Sequence, residues 1–183
     1  IMSIALGDTA NASKEYSMAL GANSAANGTD SLALGRQSLA SAANAIAIGA
    51  ETEAAENATA VGTKAEANGL NSIALGSGSI ANTDNTIALG NQSQAIAAGA
   101  IAIGQGNKAD GVNAIALGNG SITGGANAIA LGQGSYAGLE NGIAIGAQAT
   151  AQGKNSIALG AGSVATEADT VSVGNTTAQR KIV

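Results

Sequence analysis

The sequence predicts an all-β fold, a parallel solenoid of coils about fourteen residues long, and three observations carry that prediction. A glycine follows an apolar triplet at positions 7, 21, 35, 49, 62, 76, 90, 104, 118, 132, 146, 160 and 174; each step is fourteen residues except the thirteen from Gly49 to Gly62. Inside a triplet such as Ile73-Ala74-Leu75, large residues alternate with a small one, the period-2 mark of a strand with two faces. Glycine recurs 27 times, a density that excludes helices.

The elements of one coil follow in order. The triplet is the first strand. After the glycine comes a corner, then a shorter pattern, S-x-A in Ser79-Ile80-Ala81, Ser93-Gln94-Ala95 and Ser135-Tyr136-Ala137, which is the second strand. Its last position is Ala except at Thr123 and Gln179. Asn or Asp stands two residues before the next triplet at Asp30, Asn44, Asn71, Asn85, Asn113, Asn127, Asn141, Asn155 and Asp169. These residues tolerate left-handed backbone angles and mark the second corner. Each coil lays its strands on those of the coil before it, so that thirteen copies at ~4.8 Å per strand would make a rod roughly 60 Å long. Ile and Leu of the first strand are expected to point into the roll against small residues of the second. The coil that lacks a residue also has Thr59 in place of Ile, and local irregularity is expected there.

Composition narrows the function classes. The chain has no Phe, Trp, Pro, Cys or His and two Tyr, so its core must be thin and repetitive rather than aromatic. Seven basic residues are scattered against twelve acidic ones, for a net charge of -5, which offers no footprint for nucleic acid. No apolar run approaches the ~20 residues of a membrane span, so no membrane insertion is expected. Without His, no serine has a base to activate it by the usual triad logic. Glu51, Glu53 and Glu56 read as a solvated corner. Gly118-x-Gly120, Gly132-x-Gly134 and Gly153-Lys154 imitate nucleotide-binding loops, yet no helix follows them. Acids are too sporadic for a calcium solenoid. No enzyme activity, cofactor or metal is expected. A hexapeptide acyltransferase and an ice-binding solenoid with Thr-x-Thr ladders are poorer fits to this period and these ladders.

Two outward ladders remain. Placing Ile and Leu inside puts the middle residue of each triplet outside, at Ala5, Ala19, Ala33, Ala47, Ala60, Ala74, Ala88, Ala102, Ala116, Ala130, Ala144 and Ala158. A face so small and uncharged is expected to pack against another copy of the chain. On the second strand the outward position is variable, and Leu39, Ile80, Ile122, Tyr136 and Val164 are candidate ligand contacts there.

The string NSIALG at residues 71–76 and 155–160, with the S-x-A that follows, resembles the head repeat of the YadA-like trimeric autotransporter adhesins of Gram-negative bacteria. The resemblance runs from residue 1 to about 174. It implies a left-handed parallel β-roll assembled as a homotrimer, with the Ala ladder as trimer interface. It also implies display on the bacterial cell surface, anchored in the outer membrane by a part outside this piece. The implied role is attachment to host matrix proteins such as collagen or fibronectin, or to other cells; a structural spacer or self-association module of the fibre is the alternative. Residues 1–169 would be head repeats and 170–183 the last strand and start of the neck, with Arg180 and Ile182 as the neck's charged and apolar residues.

Overall fold

A computed structural model describes residues 2–183. Its contacts divide the chain into two compact units, residues 1–93 and 94–183, and both have the same internal plan. In the first unit the triplets form strands Ile4–Leu6, Met18–Leu20, Leu32–Leu34, Ile46–Ile48, Thr59–Val61, Ile73–Leu75 and Ile87–Leu89. The alternating short strands are Asn11–Ala12, Ala25–Ala26, Leu39–Ala40, Glu53–Ala54, Glu66–Ala67 and Ile80–Ala81. Each three-residue strand pairs in parallel with the equivalent strand of the next coil, Ile73 beside Ile87 and Leu75 beside Leu89. The short strands do the same, Glu66 beside Ile80. In the second unit the long strands run from Ile101–Ile103 to Val171–Ser172 and the short ones from Gln94–Ala95 to Val164–Ala165. Their register is again coil upon coil, for example Ile129 beside Ile143 and Tyr136 beside Thr150. The expected parallel β-solenoid is therefore present in both units, and no helix occurs among the described residues.

The roll is closed by backbone and by very small side chains. The inward column of the long strand is alanine, and Ala19, Ala33, Ala47, Ala74, Ala116 and Ala144 are 0% exposed. Ala26, Ala54, Ala81 and Ala151 meet them from the short strands, equally buried. Beside the alanines lies a column of buried serines and threonines whose hydroxyls donate to the carbonyl three residues back: Ser31 to Gly28, Ser72 to Gly69, Ser79 to Gly76 and Ser156 to Gly153, at 2.6–2.8 Å. Each such bond satisfies a corner carbonyl and a buried hydroxyl together, which explains why S-x-A recurs.

This corrects the expected orientation of the first strand. Ile and Leu do not fill the roll; they stand on its outside, and the middle alanines fill it. The physical reason is width. Only four residues, Gly76 to Ser79, join Leu75 to Ile80, so the two sheets lie too close together for a branched four-carbon side chain between them. Opposed sheets with ordinary side chains need about 10 Å.

The glycines permit close stacking. Gly76 has φ +131°, and a Cβ added there would lie 2.5 Å from the carbonyl oxygen of Gly90 in the next coil. The Asx corners adopt the expected left-handed angles, as at Asn71 (φ 57°) and Asn141 (φ 57°). A second left-handed column, two residues after the glycine, was not foreseen; it contains Gln37, Glu51, Lys64, Gln92 and Gln148 as well as glycines.

The thirteen-residue coil keeps its register, since Thr59 pairs with both Ile46 and Ile73. The missing residue comes out of the corner between the strands: 55–58 does the work of 41–45. Irregularity is thus confined to that turn.

Two core positions depart from the pattern. Asn107 stands where other coils have Ser, Thr or Ala; its amide donates to the carbonyls of Ile103 and of Gly118 (2.8 Å) and accepts from the backbone and hydroxyl of Ser121 (both 2.8 Å). Thr123 replaces an inward Ala, and its buried hydroxyl has no partner. An orphaned buried hydroxyl costs about 1–3 kcal/mol. Thr123→Val removes the hydroxyl and keeps the shape, so it is expected to stabilise the protein by about 1 kcal/mol. Thermal unfolding measures this; a lower midpoint in the variant would show the hydroxyl to be satisfied.

Candidate interaction site

The site is built from the side chains that the narrow roll expels. In every coil of each unit the first and third residues of the triplet point outward, forming two aliphatic columns on the long-strand sheet. Parallel register places each side chain between equals above and below, which leaves Leu34 41%, Ile73 36% and Leu75 38% exposed. These columns contain no charged residue. A continuous ladder of this kind differs from the single exposed aliphatics of ordinary surfaces.

The alanines assigned to a chain–chain contact are not available for one. Ala19, Ala33, Ala47, Ala60, Ala74, Ala88, Ala102, Ala116, Ala130, Ala144 and Ala158 are all buried within their own chain. Ala5 is exposed in the first coil, the one position of that column without a covering coil. Sequence reasoning therefore found a face but took the wrong side of the strand. A signal was present: the middle position never exceeds Ser in size, whereas the flanking positions vary among Ile, Leu, Met, Val and Thr.

The short-strand positions do face outward. Leu39 and Ile80 are half-buried, and Ile122, Tyr136 and Val164 are exposed. Ile122 and Tyr136 are ladder neighbours, Thr150 separates Tyr136 from Val164, and Leu39 lies between Ala25 and Glu53. Within the first unit Leu39 and Ile80 are not ladder neighbours, and within the second unit Ile122 and Tyr136 are the one adjacent pair. The Tyr136 ring lies over Gly138, where a Cβ would come within 2.8 Å of it.

Polar groups flank the columns. On the Asx corner, side-chain amides bond from coil to coil, Asn141 to Asn155 at 2.9 Å and Asn155 to Asp169 at 2.7 Å. At the other corner Arg36 pairs with Glu51, and Lys64 lies 3.7 Å from the same carboxylate. The Arg36 hydrogen bond, helped by the Lys64 charge, holds the Glu51 carboxyl below the usual carboxylate range. Glu140, 2.8 Å away, raises the Lys154 ammonium above its ordinary value, with Asp169 adding to the effect. Glu51 is half-buried and the other groups are exposed, so salt screens them. Among the described residues no group of three or more acids could hold a metal ion.

At the end of the second unit the chain turns back over its last coil. Gly174 bridges Gln179 in antiparallel fashion, and the Asn175 carboxamide accepts from the backbone of Thr177 and Ala178. Arg180 donates to the Ser163 hydroxyl (3.0 Å) and the Ala161 carbonyl (2.6 Å), and its guanidinium lies over Gly160 where other coils place a glycine carbonyl. Ile182 is exposed beyond it. A cleft of about 480 Å³ remains beside this tail, lined by Val164, Val171, Val173, Gln179 and Arg180 among others.

Comparison with known proteins adds two findings. The family model for the YadA head domain repeat matches in overlapping segments, beginning at residues 1–24, 26–52 and 54–79 and ending at 151–177. Among solved structures, the collagen-binding domain of the Yersinia adhesin YadA is similar at 23% identity, over 63% of this chain and 73% of that one, with a TM-score of 0.38. No curated protein matches.

Proposed function

Because the chain belongs to the family of YadA head domain repeats, we propose that it is a non-enzymatic head module of a bacterial surface adhesin. In this reading it works as a homotrimer displayed outside the cell. The observation that carries the proposal is the pair of aliphatic columns: they demand cover, and they now take the interface role that the alanine ladder had been given. Their coil-by-coil repetition favours cover by identical chains, since only a partner with the same spacing meets every rung.

Three copies around one axis would leave the short-strand faces and corners outward, repeated threefold and along the stack. Weak contacts multiplied in this way bind by avidity. Host matrix proteins such as collagen or fibronectin, or other cells, are the proposed partners; Ile122 and Tyr136 are the strongest candidate contacts, with Leu39, Ile80 and Val164 as single sites. Solid-phase binding to a panel of matrix proteins and cells tests this. The wild-type chain is expected to bind at least one of them. A variant carrying Leu39, Ile80, Ile122 and Tyr136 changed to Ser is expected to bind about tenfold or more weakly, as loss of desolvated apolar contacts implies. Unchanged binding by a folded variant removes these residues from the contact set, and no binding to any panel member favours the spacer role.

A further inference from the structure

One polar residue interrupts the aliphatic columns of residues 2–93. Thr59 occupies the first column, with Ile46 and Ile73 as its ladder neighbours, and every other member of both columns in that unit is Ile, Leu, Met or Val. Thr59 is half-buried in the single chain, with hydrocarbon on both sides along the ladder. On the trimer reading, the occupant of this face is a second copy of the chain. Two outward aliphatics per coil, at on the order of 60 Å² exposed each, reach over one unit roughly the 800 Å² per partner of a standard interface.

From this placement, and resting on the trimer reading, we infer that Thr59 sets the register in which copies of the chain align. A repeat interface has a slippage problem. If one chain moves by one coil, Ile73 takes the place of Ile87 and Leu75 that of Leu89, so nearly every aliphatic contact survives. Exchanges among Ile, Leu, Met and Val cost little, and Thr59 is the one polar rung of these columns whose neighbours change between the two arrangements. In register, the hydroxyls of the copies lie at one height and can bond to one another or to a shared water. One coil out of register, each hydroxyl is pressed against Ile46 or Ile73 of a neighbour and loses its partners, which penalises the slipped state. A lone polar residue in a coiled-coil seam fixes register in the same way.

The test uses two full-length chains, one carrying Ile73→Cys and the other Ile87→Cys, refolded together and oxidised. The two positions are one coil apart, and a disulfide needs its Cβ atoms about 4 Å apart, so direct bonding separates aligned from slipped chains. With Thr59 present, 73–73 and 87–87 disulfides are expected to dominate in mass spectrometry. In a Thr59→Ile background the mixed 73–87 disulfide is expected to rise at least about threefold, and Thr59→Ser is expected to behave as wild type because it keeps the hydroxyl. Sedimentation accompanies each sample. A trimer mass with an unchanged mixed fraction in Thr59→Ile, or an equal rise in Thr59→Ser, overturns the register role alone. A one-chain mass for the wild type overturns the underlying assembly instead.

Discussion

Gly76→Ala is expected to destabilise the head by more than about 3 kcal/mol, lowering the thermal midpoint by on the order of 10 °C. The new Cβ would lie 2.5 Å from the Gly90 oxygen and 2.6 Å from its carbonyl carbon, and backbone in a neighbouring coil cannot swing aside as a side chain can. The φ of +131° is itself closed to alanine. Gly120→Ala is the matched control. Its φ of +65° is left-handed, but nothing lies within 4 Å of an added Cβ, so it should cost only about 1 kcal/mol. Equal losses from the two substitutions would mean that close stacking is not what the glycine column provides.

Placing charge on the aliphatic columns is expected to separate the copies without unfolding the coils. In Ile73→Lys with Leu75→Lys, both side chains start from the outside of the roll, so the ammonium groups remain in water in a single chain but would be buried unpaired in an assembly. If the proposed trimer forms, sedimentation should fall from its mass to that of one chain, 17.3 kDa, with the β circular dichroism retained. Ala74→Leu should fail differently. Ala74 is 0% exposed, and three further carbons have no room, so loss of β signal is expected rather than dissociation. If Ala74→Leu stays folded and merely dissociates, the alanine ladder is the interface after all.

The period, the strands of the first twelve coils and the Asx corners were legible in the sequence because each has a local cause: alternation, glycine spacing, and tolerance of positive φ. The second strand expected up to Gln179 does not form, since the chain turns back there and Gln179 bridges Gly174 in antiparallel fashion. The inward side of the first strand was not. A period-2 pattern shows that Ile73 and Ala74 face opposite ways, and the usual rule sends the larger residue inside. Here the distance between sheets decides instead, and that distance follows from the length of the corners. The second left-handed column was hidden for another reason. Gln37, Glu51 and Lys64 have no preference for that conformation; the stacking of the coils imposes it on them. Arg180 was recognised as a distinctive residue of the tail, but its hold on Ala161 and Ser163 depends on the chain turning back, for which the composition of residues 174–183 carries no sign.

The shortened corner at residues 55–58 also bears on how such a chain evolves. Loss of a residue there left the pairing of Thr59 with Ile46 and Ile73 intact, so the reading of one coil by the next does not depend on what the turns contain. Removing or adding a whole coil would leave each surviving coil beside a neighbour of the same pattern. The stack can therefore lengthen or shorten by single rungs without disturbing the pairing within the rest, while the turns carry whatever residues their outer surface requires.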